Sequence, residues 1–285
     1  MAPLIRELQP EARIVFDDHN AEAALQERAF RTDLGEPLRW PAAAYSWLQV
    51  GRLQRFERWA CRATDHVIAV SEADQASLRA LIGAGGTPVT VVPNAIDVAR
   101  YQEPVTGELP RYDILFSGKM DYRPNVDAML WFGSEIWPKI RAARPETTWA
   151  IAGQKPHRRL ERLRELPGVT VTGRVEDVRP YLAGATVYVM PFRMGSGTRL
   201  KLIEAMAVGV PMVSTPLGAE GFPVEDGREL LLAEEPEAFA SAVLRLLEDD
   251  ELRARLSAAG RHLAWQYDWR RVMPRLVAVH EGLRG

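Results

Sequence analysis

The sequence predicts an α/β protein with doubly wound parallel sheets, and two observations carry that expectation. From residue 113 onward, short apolar runs alternate regularly with helical patterns. Those runs, "DILFSG", "TWAIAG" and "TVYVMPF" among them, are continuous rather than alternating. Strands buried on both faces by flanking helices read that way.

The elements follow in order. "RIVFDDH" (13–19), "HVIAVS" (66–71) and "VTVVPN" (89–94) read as strands, with a long helical region over 41–62. Three strands make a thin parallel sheet, so this first half is expected to be an incomplete version of the second. "EPVTGELPR" (103–111), with two prolines, a glycine and a shift in composition, reads as the linker. A strand at 113–118 then leads into an amphipathic helix over 125–145, where Val126, Met129, Leu130, Ile136, Trp137 and Ile140 recur near helical spacing. Strands at 148–153, 169–173 and 186–192 alternate with a polar helix at 157–166 and a short helix near 176–183. A helix over 198–208 and strands at 211–215 and 229–233 continue the series, and 236–283 is nearly all helical. The expected domains are 1–107, 108–264, and a C-terminal helix over 265–285 that crosses back toward the first.

Composition narrows the function classes. The 285 residues suffice for two domains, and the formal net charge of −2 gives no field for nucleic acid. Cys61 is the only cysteine, which excludes an intramolecular disulfide and a cysteine-cluster zinc site. No apolar run reaches membrane-spanning length, and the opening residues lack the tripartite pattern of a signal peptide. A cytoplasmic setting is expected, with contact at the inner face of the membrane as an open alternative.

The chemistry concentrates in "PFRMGSGTRLKLIEAMAVGVPMVST" (191–215). A strand ends there and a helix begins, which is where open parallel sheets bind ligands. Gly195 and Gly197 would let backbone N–H groups approach a ligand, and a helix N-terminus attracts an anion. Arg199 and Lys201 add two formal charges, a number suited to a diphosphate. Glu204, three residues beyond Lys201, lies on the same helical face and can accept hydrogen bonds from a vicinal diol such as a ribose. The competing reading is a solvated first turn with a surface Lys201–Glu204 pair worth about 0.2–0.5 kcal/mol. Two cations at a helix N-terminus oppose the dipole unless an anion offsets them.

"GSGTRLKLIEAMAVGVPMVSTPLGAEGF" resembles the donor-binding segment of glycosyltransferase family 4, the retaining group 1 enzymes of GT-B fold. "AVSEAD" (69–74), "VVPNAIDVARY" (91–101), "LFSGKMDYRPNVDAMLWF" (115–132) and "GRVEDVRPYLAGATVYVMPF" (173–192) agree in order and spacing. The resemblance covers roughly residues 13 to 275. It implies two Rossmann-like domains, the N-terminal one lacking its early units, and a metal-independent hexosyltransferase-like enzyme without a cofactor. The donor would be a UDP- or GDP-sugar and the acceptor a glycan or glycolipid, as in polysaccharide biosynthesis. Glu204 would hold the ribose. Lys119, after Gly118, would reach the diphosphate together with Arg199 and Lys201. Backbone near Arg174, Val175 and Val178 would flank the base, while Gly195, Ser196, Gly197 and Thr198 would face the transferred sugar and the β-phosphate. Two positions depart from the family pattern: Ser196 replaces a glutamate eight residues before Glu204, and Asn125 replaces a second phosphate-loop lysine.

His19, at the end of a strand, can donate to a sugar hydroxyl or a developing charge, or can simply cap a turn with Asn20. The resemblance favours the sugar. Asp17 and Asp18 could hold a divalent ion, but GT-B enzymes resemble one another in needing no catalytic metal. "RLQRFERWACRAT" (52–64) could dock on an anionic membrane, although one solvated and one packed face is the commoner meaning of such a pattern. "WQYDWRRVMPRLVAVHEGL" (265–283) reads as core-packing aromatics, and Cys61 as a small packed residue. Because the early N-domain units are missing from the pattern, the alternative function is a truncated, non-catalytic nucleotide-sugar-binding module that needs a partner chain or a missing segment. An epimerase or phosphorylase fits less well, lacking poised acids and bases or a cofactor lysine.

Overall fold

The computed structural model describes residues 2–19, 23, 26, 27, 30, 31, 34, 40–195 and 197–284. The chain divides into two units: Met1–Ala95, Met194–Thr198 and Arg270–Gly285 form one, and Ile96–Arg193 with Arg199–Trp269 the other.

The first unit holds three parallel strands, β1 (Val15–Asp18), β2 (His66–Ala69) and β3 (Val89–Val91), in spatial order β1-β2-β3. The period of two along β2 sorts its side chains between two layers. Val67 and Ala69 pack with Cys61, Leu78, Ile82 and Val89 on one side. Ile68 packs with Val92, Val272 and Val279 on the other. The helix Glu72–Ile82 starts at Ser71, whose Oγ accepts from Asp74 N at 3.1 Å, satisfying an otherwise orphaned N-terminal donor. The helix Trp269–Gly282 covers the second layer through Val272 and Val279, two turns apart on one stripe. The aromatic expectation for this segment holds for Tyr267, which is buried, but not for Trp269, which is 46% exposed at the helix start.

The second unit carries six parallel strands: β4 (Tyr112–Ser117), β5 (Trp149–Ala152), β6 (Val169–Gly173), β7 (Ala185–Met190), β8 (Met212–Ser214) and β9 (Leu231–Leu232). Their order, β6-β5-β4-β7-β8-β9, puts the first strand in the middle. The chain builds outward through β5 to β6, then returns to β7 beside β4 and builds the other way. Residues Ile114–Phe116, Trp149–Ala152 and Val187–Met190 are all buried, which explains their unbroken apolar sequence. Ser117 Oγ and Tyr188 OH lie 2.8 Å apart, joining the two central strands by a side-chain hydrogen bond.

Two helices differ from expectation for local reasons. The run expected over 125–145 forms Arg123–Trp131, a π turn at Phe132–Ile136, and Trp137–Ala143. Pro138 has no N–H to give the carbonyl four residues back and its ring crowds that carbonyl, so the wider turn relieves the conflict. Gly133 fits within this turn because a Cβ there would stand 2.5 Å from Leu163 Cδ2. The polar helix near 157–166 is a 3₁₀ helix, Arg158–Glu165. Its buried Leu160 and Leu163 are three residues apart, the period of a 3₁₀ turn.

Candidate functional site at the switch point of the second sheet

Strand order reverses between β4 and β7, and doubly wound sheets bind ligands beyond the carboxyl ends of strands at such a point. A cleft of about 510 Å³ lies there within the second unit. Ser117, Gly118 and Lys119 line it from the end of β4, and Ala152, Gly153 and Gln154 from the end of β5. Arg174, Val175 and Val178 line it from beyond β6, and Leu200, Lys201 and Glu204 from the helix Leu200–Val208 that follows β7.

Local sequence sets this geometry. The helix Leu200–Val208 begins after Arg199, so Lys201 and Glu204 sit in its first turn and a half. It ends at Gly209, whose left-handed φ of 88° closes the last turn. Arg261 packs where a Cβ on Gly209 would stand, and its Nη2 donates to Val208 O at 2.6 Å. At the opposite wall Gly118 takes φ 154°, and a Cβ there would stand 2.5 Å from Lys201 Nζ and 2.9 Å from Asn125 Nδ2. The backbone conformation at 118 favours glycine, and a Cβ there would displace the Lys201 ammonium and the Asn125 amide.

The electrostatic centre is Lys201. Its ammonium donates to Ser117 O at 2.8 Å and to Asn125 Oδ1 at 3.0 Å. It also lies 4.4 Å from the Phe116 ring centroid and 5.3 Å from that of Phe192. Ring faces and carbonyl dipoles hold a cation, but they do not replace a full counter-charge. Burial, aided by the neighbouring Arg199 guanidinium and opposed by the Glu204 carboxylate, pushes the Lys201 pKa down to about 7. Asn125, where the family pattern has a lysine, thus accepts from Lys201 and donates through Nδ2 to Lys119 O at 2.8 Å. Lys119 itself is exposed, with Asp121 Oδ1 at 3.5 Å.

Glu204 is half-buried and accepts from Tyr101 OH at 2.9 Å. Burial, reinforced by that carboxylate, raises the Tyr101 pKa well above its ordinary value, so the phenol stays protonated and donating. Next to the Arg174–Val178 wall, Asp177 pairs with Arg179 at 2.7 Å. The Arg179 hydrogen bond holds the Asp177 carboxyl below its usual range. Arg179 also donates to Arg100 O at 2.9 Å, tying this wall to the segment that carries Tyr101.

The structure therefore gathers Gly118, Lys119, Arg174, Val175, Val178, Lys201 and Glu204 around one cleft. Arg199 is not among the cleft-lining residues but stays close to Lys201: its Nη1 donates to Leu217 O at 2.7 Å and its guanidinium lies 4.6 Å from the Phe192 ring centroid, the ring that Lys201 also approaches. Gly195, Gly197 and Thr198 group with the first unit, where Asn94 Nδ2 donates to Thr198 Oγ1 at 3.1 Å. Ser196 lies outside the described residues. His19 stands exposed at the end of β1, also in the first unit, its Nε2 3.3 Å from Asp17 Oδ2. Sequence reasoning missed Tyr101, and it assigned no acceptor role to Asn125 or the Ser117 carbonyl. Nothing in the residue pattern signalled Tyr101, because its partner lies 103 positions away.

Among the described residues no group of three or more His, Cys, Asp or Glu is arranged to hold a metal. No helix there is long and apolar enough to cross a membrane. In the first unit the helix Trp40–Arg62 leaves Trp40, Tyr45, Trp47, Leu48, Phe56 and Trp59 exposed. Of its arginines, Arg58 and Arg62 donate to the carbonyls of Leu81 and Ile82, both at 2.9 Å.

Two parallel-sheet units, one with cations and a carboxylate at its switch point, define a Rossmann-like α/β protein of the GT-B class. Residues 111–249 match the family described as "Glycosyl transferases group 1" and residues 4–100 match "Glycosyltransferase Family 4". Together these regions take in most of the sequence, and the chain belongs to this glycosyltransferase family. It is 31% identical over 209 residues to a phosphatidyl-myo-inositol mannosyltransferase of Mycolicibacterium smegmatis, covering 70% of this chain and 53% of that protein. It is 27% identical over 263 residues to a glycogen synthase of Mycobacterium tuberculosis, covering 87% of this chain and 61% of that protein. The chain thus spans little more than half the length of these relatives. Among solved structures, Anabaena Alr3699/HepE in complex with UDP superposes with a TM-score of 0.71 at 16% identity, covering 98% of this chain and 75% of that one.

Proposed function

We propose that the chain transfers a sugar, with retention of anomeric configuration, from a UDP- or GDP-linked donor to a hydroxyl of a glycan or glycolipid. The observation that carries this reading is the Lys201 ammonium, 2.8 Å from Ser117 O, on the same cleft as Glu204 at a topological switch point. A diphosphate would lie against Lys201, Lys119 and the backbone beside Gly118, the ribose diol against Glu204, and the base along Arg174 to Val178. The relatives' names and the UDP in the Anabaena structure support a nucleotide-sugar donor.

The chemistry follows from where charge develops. As the bond between the anomeric carbon and the phosphate oxygen breaks, negative charge grows on the leaving diphosphate, and the cations stabilise it more than they stabilise the bound donor. The acceptor oxygen forms its bond to the anomeric carbon on the same face, and the acceptor proton passes to the departing phosphate oxygen. No protein nucleophile is needed. A role for His19 at the transferred sugar rests on the family resemblance alone.

The test is calorimetry of the full chain against UDP-, GDP- and ADP-sugars, then anomeric analysis of any product by NMR. Lys201→Ala and Glu204→Ala should each cut turnover steeply in a folded protein, and His19→Ala should lower turnover without weakening nucleotide binding. Unchanged turnover in the first two removes the cleft from the reaction. Binding without turnover in the unaltered chain would leave a nucleotide-sugar-binding module instead of an enzyme.

A further inference from the structure

We infer that Tyr101 is a positioning residue for the donor ribose: it locks one carboxylate oxygen of Glu204 so that the other is presented to the diol. The inference rests on the proposed ribose role of Glu204 and adds a second residue to that role. Tyr101 OH donates to Glu204 Oε1 at 2.9 Å, and among the described residues no other hydrogen bond reaches that carboxylate. A glutamate on a helix surface has three rotatable bonds. Left alone, it would have to be ordered by the ligand it binds, and that ordering weakens binding.

The phenol can impose this order because it is itself held. Tyr101 belongs to the short helix Val98–Gln102, and its first residue, Val98, is fully buried. Val98 N donates to Asp268 Oδ2 at 3.1 Å, and Asp268 is buried. On either side of this bond, Ile96 N donates to Tyr267 O and Trp269 N to Ile96 O, both at 3.0 Å. The helix is thus fastened at its start, and Arg179 holds it again at the residue before Tyr101, through Arg100 O. The hydroxyl at its tip meets Glu204 on the cleft wall. Because the phenol remains protonated well above neutral pH, it donates and cannot repel the carboxylate. A tie that served only to hold two helices together could equally be made by apolar contact. A hydroxyl aimed at the one carboxylate that lines the cleft fits an orienting role.

The experiment compares UDP and GDP with their 2′,3′-dideoxy forms by calorimetry on the full chain, in the unaltered protein, Tyr101→Phe and Glu204→Gln. The unaltered protein should favour the ribose form by about tenfold or more, the range for hydrogen bonds to a charged acceptor. Glu204→Gln should erase most of that preference. Tyr101→Phe should shrink it about three- to tenfold while leaving affinity for the dideoxy forms unchanged. Loss of affinity for ribose and dideoxy forms alike in Tyr101→Phe would mark a purely structural tie and overturn the inference. A full ribose preference in Tyr101→Phe, alongside its collapse in Glu204→Gln, would overturn the inference but keep the role of Glu204. A full preference in Glu204→Gln, or no binding of either nucleotide, would remove that role and the inference with it. Should Tyr101→Phe fail to fold, Tyr101→Met is read by the same criteria.

Discussion

A diphosphate bound beside Lys201 should draw a proton into the protein, and the structure sets the size of the effect. The ammonium lies beside the Phe116 and Phe192 rings, and burial pushes its pKa down to about 7. At about pH 8 roughly nine in ten molecules then carry a neutral amine, whereas the complex needs the cation. If the ligand's charge restores the pKa to an ordinary lysine value, binding takes up about 0.9 proton at pH 8, and affinity falls by about 50-fold between pH 7 and 9. A nucleotide-sugar is the right probe because its diphosphate diester does not titrate in this range. Calorimetry in buffers of different ionisation enthalpy measures the uptake directly. Lys201→Met should bind more weakly and lose both the uptake and the pH slope. The same residue should appear in stability, with a definite sign. Its folded pKa is depressed from 10.5, so between about pH 7 and 10.5 the unfolded chain holds the extra proton. Stability should therefore rise with pH across that window in the unaltered chain relative to Lys201→Met, as read by urea denaturation. Affinity flat in pH with no proton uptake would refute the reasoning.

Three other outcomes follow. Gly118→Ala should lower nucleotide-sugar affinity about tenfold and stability by about 1 kcal/mol or more, since the new Cβ meets Lys201 Nζ at 2.5 Å and φ 154° disfavours any side chain. Calorimetry and thermal denaturation check both parts, and unchanged affinity would mean that Lys201 is not where the diphosphate binds. Arg193→Met should destabilise the chain by about 1–3 kcal/mol without altering nucleotide binding, because the bidentate partner of Asp127, whose side chain is 9% exposed, would be lost. Urea denaturation gives the value. The exposed aromatics of helix Trp40–Arg62, with arginines among them, should sediment the protein with anionic but not neutral vesicles at low salt. Trp47→Ser with Trp59→Ser should abolish that association while changing stability by about 0.5 kcal/mol or less. Failure to bind anionic vesicles would leave that face with no membrane role.

The fold was legible because burial on both faces of a parallel sheet leaves unbroken apolar runs, as in Trp149–Ala152 and Val187–Met190. Lys201 and Glu204 were legible for a local reason: they share one turn of one helix, and helical spacing alone puts them on one face. The family resemblance brought Lys119 and Arg174 to the same cleft, but the side-chain hydrogen bonds between distant parts of the chain escaped. Tyr101 reaches Glu204 across 103 residues, and Lys201 reaches the Ser117 carbonyl across 84. No local period encodes such a meeting. Arg199 has partners that its closeness in sequence to Lys201 did not signal: it stands just before the helix rather than in it, and its guanidinium meets Phe192 and the Leu217 carbonyl.

Lys201 differs from the other cations in the partners that hold it. Among the described residues no carboxylate lies within salt-bridge distance of Lys201, while Lys119 and Arg193 each have one. An ammonium held only by carbonyls and ring faces is costly to keep charged, and its lowered pKa expresses that cost. Natural cores rarely keep such a residue when leucine or methionine would pack as well. The neighbours show that its place is specified: Gly118 leaves room for the ammonium, and Asn125 supplies an acceptor where a second lysine would have repelled it. A like charge at 125 would lower the Lys201 pKa further, so asparagine at 125 and lysine at 201 form a matched pair. Asn125→Lys should accordingly weaken donor binding rather than strengthen it, although it adds a positive charge to a site for an anion.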